Sequence, residues 1–403
     1  MAHQHHHRLP SQYIDRFTKP FNRFLSIQAA GGVVLLLAAI IATLIANSQF
    51  ADVFRAVWET QVGLSFGSWA YTHPLKSWVN DALMTFFFFL VAVELKRELV
   101  LGELRDPKMA ALSIFAALGG MLVPAALYLL LQWNEPGRHG WGTVMATDTA
   151  FVICCVALLG KRVPTRLRVF MLSLAIVDDI GAILVVAIGY SGDILWGAVG
   201  VFLLGLVVIL ALARMGVRSF PPYFFVGSLI WLALETSGIH ATVTGVVLGL
   251  MTPARRWVND RRLYSILSQV VSHPTAAEHS GDTKDRATLQ LAEIAARESL
   301  SAVERLQIGL HPWVGFAILP IFALANAGMT FSSQSLDLSV TWAVFFGFTV
   351  GKPLGVMGCA WLAIRIGIAK KPPDLNWPLL IGGSVLTGIG FTMALLIADI
   401  AFD

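Results

Sequence analysis

The sequence predicts an all-α fold, a polytopic bundle of membrane-spanning helices, and three observations lead there. Of the 403 residues, 56% are hydrophobic and only 13% are charged, about half the ~25% charged share of a soluble globular domain. That leaves apolar surface which a water-facing exterior cannot absorb. Runs such as 27–47 (IQAAGGVVLLLAAIIATLIAN), 169–189 and 377–397 approach or exceed the ~20 apolar residues that a helix needs to cross hydrocarbon. The ten-residue alternation of an outer-membrane barrel is absent, and backbone groups in lipid are otherwise satisfied only within helices.

Taken in chain order, apolar runs bounded by turn and charge signals place spans at 27–47, 81–98, 108–131, 142–159, 166–189, 193–213, 221–236, 239–252, 311–330, 338–364 and 377–400. These eleven make residues 1–403 a single membrane domain. The stretch before the first span holds Arg8, Arg16, Lys19 and Arg23 without an apolar core, so that span is expected to anchor uncleaved. The HQHHH run at 3–7 is given no function.

Charge tests the count. Arg55, Lys76 and Arg138 fall in one alternate set of loops and Lys352 falls deep inside a span, while every other Lys and Arg lies in the set that includes the N-terminus or at the span ends that border it. By the positive-inside rule the N-terminus is cytoplasmic. Residues 48–80 are then an extracytoplasmic loop, with Trp58, Tyr71, His73 and Trp78 suited to an interface. Residues 253–305 form a cytoplasmic loop: basic ARRWVNDRR, a polar linker around SHPTAAEHSGDTKDRAT, then an amphipathic helix over 288–306. The linker reads either as a regulatory element or as a solvated connector.

The net charge of +4 is spread over short loops and forms no basic face, which excludes nucleic acid as a partner. Cys154, Cys155 and Cys359 lie in apolar segments and read as small hydrophobes.

Charges inside spans are costly and default to function. Asp178 and Asp179 sit near the middle of 166–189. Adjacent helix positions are ~100° apart, so the two carboxylates diverge yet can border one cavity between neighbouring helices. They are expected to titrate as a coupled pair and to offer oxygen ligands to a hard cation such as sodium. The plainer reading is an ion-pair partner that orients helices. Lys352, in GKPLG, needs an acidic partner; Asp178 is the choice, with either a structural or a proton-carrying role. Thr147, Asp148 and Thr149 interrupt one span, and Thr387, Gly388, Gly390 and Thr392 weaken another. Two discontinuous spans point to a transporter binding site, where Asp148 or Lys352 can balance helix-end dipoles near the midplane. Glu94, Lys96, Arg97 and Glu98 close the second span in VELKREL, either as a solvated helix end or as a functional mouth. His240 and His311 read as hydrogen-bonded core or cap residues, and His240 is retained as a candidate for pH response.

With these residues assembled, the chain resembles the NhaA family of bacterial sodium/proton antiporters through FFFLVAVELKREL, ATDTAF, AIVDDIGAI, GIHATVTGVVLG, HPWVGFAILPIFALANAG, GKPLG and GIGFTMALLIA. The family is itself a standing example of inverted-topology repeats. The resemblance implies such repeats, with two discontinuous helices crossing near the midplane. It implies an electrogenic, alternating-access exchanger of the inner membrane, not an enzyme, which needs no cofactor and moves Na+, Li+ and H+. Asp179 would be the main sodium ligand, Asp178 would share the site and pair with Lys352, and Thr147 and Asp148 would contribute at the helix break. Glu94, Arg97 and Glu98 would belong to a pH-responsive cytoplasmic entrance. The family is typically dimeric, so the resemblance also implies a homodimer, with 48–80 as the expected contact. Two departures stand out. Gln307 and Ile308 occupy a stretch where the family often carries an acid and a histidine. Family members usually have twelve spans, and the twelfth is not seen here.

Two other classes fit the sequence less well. An intramembrane aspartyl protease expects a Gly-x-Gly-Asp element, which no Asp here has. A sodium-coupled symporter of a small organic anion is closer in physics but suits the adjacent Asp pair and buried Lys less well.

Overall fold

Helices account for most of the chain because the apolar runs leave the backbone no other way to satisfy its polar groups. The computed structural model describes residues 28–402 apart from 67–68, 161–162, 191, 193, 218, 255, 272–282, 330–336 and 373–374. The His-rich run, the basic N-terminal stretch and most of the polar linker lie outside the described residues.

In order, the elements are α1 (Gln28–Ala46), α2 (Ala51–Glu59), the strands β1 (Gln61–Phe66) and β2 (Trp69–Pro74), α3 (Leu75–Val100) and α4 (Pro107–Leu131). A 3-10 segment (Pro136–Val144) leads to α5 (Thr149–Leu158), then α6 (Thr165–Gly189), α7 (Trp196–Arg214), α8 (Phe220–Glu235) and α9 (Thr242–Met251). α10 (Asp260–Val271) and α11 (Thr283–Glu298) precede α12 (Ala302–Asn326), α13 (Leu338–Ile366), α14 (Trp377–Leu386) and α15 (Phe391–Phe402). Among the described residues six helices are long and apolar enough to cross a membrane, or up to eight if each of two bent pairs is one span. The chain is therefore a multi-pass membrane protein.

The structure departs from the sequence reading in three places. The 48–80 loop contains an antiparallel hairpin, with Gln61 opposite Pro74 and Phe66 opposite Trp69, so the fold is mostly but not wholly α. The helix expected over 288–306 is two helices: α11 ends at Glu298, and Ser301 restarts the chain as an N-cap, its hydroxyl accepting the Glu304 N–H while the Glu304 carboxylate accepts the Ser301 N–H. The span expected to begin at 311 is thus part of a helix that begins at Ala302.

Two apolar cores flank α6. One gathers side chains of α1, α3, α12 and α15 around Ile176, Ala182, Ile183 and Val186. The other gathers α4, α13 and α14 around Leu167, Phe170, Met171 and Leu174. α4 and α13 meet backbone to backbone: a methyl on Gly355 would overlap the carbonyl oxygen of Gly119, and one on Gly119 that of Gly355. Only glycine permits this approach. α7 faces outward, with Leu203, Leu204 and Val207 exposed, a surface made for lipid.

On one side of the bundle the hairpin is tied down. The Tyr71 hydroxyl donates to Glu235, and His73 lies 3.6 Å from the same carboxylate. Burial, then Glu235, pushes the Tyr71 phenol well up, so it stays a donor. Lys76 pairs with Asp399, which also accepts from Asn80 at 2.7 Å.

Candidate functional site

α5 and α15 begin at interruptions of the chain, and the two interruptions touch. The 3-10 segment ends at Val144, residues 145–148 are not helical, and α5 starts at Thr149. α14 and α15 meet at 47° across residues 387–390. Between them the Asp148 N–H donates to the Ile389 carbonyl at 2.7 Å and the Thr147 hydroxyl to the Thr387 carbonyl at 3.1 Å. Backbone groups freed by each break are thereby satisfied by the other.

Charge completes that repair. Asp148 Oδ1 accepts the Phe151 N–H of its own helix at 3.0 Å, and Oδ2 accepts both the N–H (3.0 Å) and the hydroxyl (2.5 Å) of Thr392 at the start of α15. One carboxylate thus faces the positive ends of two helices. Lys352 Nζ donates to the carbonyl of Met145, at the negative end of the 3-10 segment, and to Asp178 Oδ2 at 3.0 Å. A π turn over Gly347–Gly351 delivers Lys352 to this place; such turns recur at functional sites.

Asp178 and Asp179 project from α6 into the same group. Asp178 Oδ2 also accepts the Thr147 N–H at 2.8 Å, and Asp179 Oδ2 accepts the Thr149 hydroxyl at 2.6 Å. Thr147, Asp148, Asp178, Asp179 and Lys352 are all at most 1% exposed. Within this buried set two oxygens, Asp178 Oδ1 and Asp179 Oδ1, accept no hydrogen bond from any described residue. Buried polar atoms are rarely left so. Among the described residues no three His, Cys, Asp or Glu side chains converge as a metal site; the oxygens gathered here belong to carboxylates, hydroxyls and backbone carbonyls. A proton or a hard monovalent cation fits such a set.

The five residues expected at the ion site therefore stand together, and Asp178 is the partner of Lys352. The expected entrance group is brought together only in part. Arg97 Nη1 donates to Gln307 Oε1 at 3.2 Å, and Gln307 Nε2 donates to Glu94 Oε1 at 3.3 Å. Gln307 on α12 thus bridges the two, a role sequence reading missed. Glu98 follows one turn later on α3, partly buried.

His240 does not join that group, a correction to the sequence grouping. α9 lies alongside α3 with Gly245 against Thr85 and Gly249 against Ala92, which sets His240 level with Asp81, thirteen residues or roughly 20 Å along the helix from Glu94. There it lines a cavity of about 360 Å³ with Asp81, Glu235, Asp399 and Ala146. The three acids were also missed. Their signal was positional: each ends a predicted span on the extracytoplasmic side. No sequence rule links Thr149 to Asp179, since the pair forms between helices.

Comparison with known proteins bears on the chain as a whole. The sequence profile of the family described as Na+/H+ antiporter 1 matches residues 22–403. The chain is 56% identical over 395 residues to the Na(+)/H(+) antiporter NhaA 2 of Acidiphilium cryptum, covering 98% of this chain and 88% of that protein. It is 54% identical over 396 residues to the Na(+)/H(+) antiporter NhaA of Rhizobium meliloti, covering 98% and 91%. With the Na(+)/H(+) antiporter NhaA 2 of Vibrio vulnificus it shares 52% over 396 residues, covering 98% and 89%.

Proposed function

The chain belongs to the NhaA family of Na+/H+ antiporters, and from that premise we propose that it exchanges cytoplasmic sodium or lithium for external protons at Asp178 and Asp179 in the bacterial inner membrane. The observation that carries the site is the pair of buried carboxylate oxygens, Asp178 Oδ1 and Asp179 Oδ1, that accept no hydrogen bond among the described residues, while Lys352 is paired with Asp178 and Asp148 is held by hydrogen bonds from Phe151 and Thr392.

Exchange follows from competition. Two carboxylates buried side by side cannot both stay charged without a cation, so they hold either protons or sodium. Sodium takes oxygens from Asp179 and Asp178, with the Thr149 hydroxyl and nearby backbone carbonyls completing its shell. Deprotonation must precede binding, so each sodium bound releases protons. Lys352 holds Asp178 in place and screens it, and Asp148 fixes the ends of α5 and α15, so that the crossing of the two broken helices near the midplane stays intact while the bundle alternates its access. More than one proton per sodium makes the cycle electrogenic.

The cavity lined by Asp81, Glu235 and Asp399 reaches Ala146, next to Thr147, and suits an extracytoplasmic route for cations. The link Glu94–Gln307–Arg97 suits a cytoplasmic entrance, and pH response is assigned to Glu94, Arg97 and Glu98. We place the N-terminus in the cytoplasm, and a homodimer with contacts in 48–80 completes the reading. An organic-anion symporter would need a cationic substrate cavity, and the acids of this one disfavour it.

The test is dissipation of ΔpH in everted vesicles or proteoliposomes containing the chain. Added sodium collapses the gradient with the wild type and not with Asp179→Asn. A folded wild type silent to both sodium and lithium refutes the proposal.

A further inference from the structure

The stretch between α9 and α12 carries a surface that ion exchange does not use. Asn259 starts α10, its Oδ1 accepting the Arg262 N–H at 2.9 Å. α10 packs on α11, with Leu263 and Ile266 partly buried on one helix and Ala292 and Ala295 buried on the other. The base of this pair is fastened to the start of α12. The Val258 N–H donates to the Glu298 carbonyl at 3.3 Å, Arg256 meets Glu304 at 3.2 Å, and Arg305 meets Glu298 at 2.5 Å. α12 is long and apolar enough to cross a membrane and opens at Ala302, and the apolar α9 ends at Met251, seven residues before Val258, so α10 is held beside the start of a membrane-crossing helix.

Its outward surface is neither polar nor apolar but a blend. Tyr264 is 76% exposed, Leu267 40% and Trp257 61%. Arg261 and Arg262 are exposed, and neither has an ion pair among the described residues. Tyr264 and Leu267, three apart, share one flank of the helix, and Arg261, three before Tyr264, adjoins them. Aromatic rings with a polar edge settle at the headgroup level of a bilayer, apolar side chains of a surface helix enter the acyl boundary, and arginine pairs with lipid phosphate.

We infer that α10 lies in the headgroup region of the cytoplasmic leaflet and binds anionic phospholipid, with Tyr264 and Leu267 dipping into the acyl boundary and Arg261 and Arg262 holding headgroup phosphates. This rests on the cytoplasmic placement of 253–305 and not on ion exchange. The helix's tether to the start of α12, together with its arginines that have no ion pair among the described residues, favours lipid over a protein partner.

The test places a nitroxide at Tyr264→Cys in the full chain, with Cys154, Cys155 and Cys359 replaced by serine. The purified protein is reconstituted in phosphatidylcholine alone or with phosphatidylglycerol. In the anionic vesicles the label is open to oxygen and shielded from a water-soluble nickel chelate; in the neutral vesicles the shielding falls. Arg261→Gln and Arg262→Gln each lower the shielded population about five-fold, the weight of one basic residue at an anionic surface. A label open to the chelate in both vesicles overturns the inference, and so does shielding that needs no anionic lipid, which marks a contact between copies. Sodium-driven ΔpH in the same vesicles reports the exchange reading separately, so the two can fail independently.

Discussion

Asp148 and Lys352 show how two charges hold a helix break together. Asp148→Ala strips acceptors from the Phe151 and Thr392 N–H groups and should cost about 1–2 kcal/mol for each helix end uncapped. A fall in the thermal unfolding midpoint in detergent, smaller for Asp148→Asn, checks this. Lys352 is fully buried against Asp178. Lys352→Met leaves that carboxylate buried without its counter-charge and should cost about 3–5 kcal/mol, while the double variant Lys352→Met/Asp178→Asn recovers much of the loss. Additive losses in the double-mutant cycle would mean the pair is not coupled. At this scale the sequence was legible wherever a charge interrupts an apolar run, as at Asp148, Asp178, Asp179 and Lys352. What it hid were partners without charge: the Met145 carbonyl, the Thr149 hydroxyl and the Gln307 amide follow from helix packing, which no local pattern encodes.

The elements carry that chemistry by fixing where the charges stand. Lys352 lies one turn before Gly355, and Gly355 seats α13 directly on Gly119 of α4. Gly355→Val must push those helices apart, at a cost of about 1–3 kcal/mol, and should lower transport along with stability because Lys352 moves with α13. A variant that is destabilised yet transports normally would separate the packing from the site. The break in α14–α15 was readable from Thr387, Gly388 and Gly390, since glycine and hydroxyl residues together weaken a helix. The boundary at Ser301 was readable too, in Ser301-Ala-Val-Glu304, but the apolar period running across it masked the cap. The hairpin was missed because strands of six residues leave little room for alternation to show, and Trp, Tyr and His there also fit an interface.

For the whole molecule, hydropathy made the membrane class plain, and the skew of Lys and Arg set the orientation now proposed. The way α6 stands between two cores, which puts Asp178 and Asp179 at their junction, is a product of tertiary packing and left no trace in the sequence. If exchange is electrogenic, an inside-negative potential imposed on right-side-out proteoliposomes accelerates sodium efflux; a rate indifferent to potential would mean electroneutral exchange. The central claim is that sodium and protons compete for one pair of carboxylates, and titration calorimetry of sodium binding to the purified protein, stepped between about pH 6 and pH 9, tests it most directly. Falling pH fills the pair with protons, so the sodium Kd should rise by up to about ten-fold per pH unit for each proton displaced, with protons released on binding and no binding by Asp179→Asn. Sodium affinity that does not change with pH, or that survives in Asp179→Asn, would contradict it.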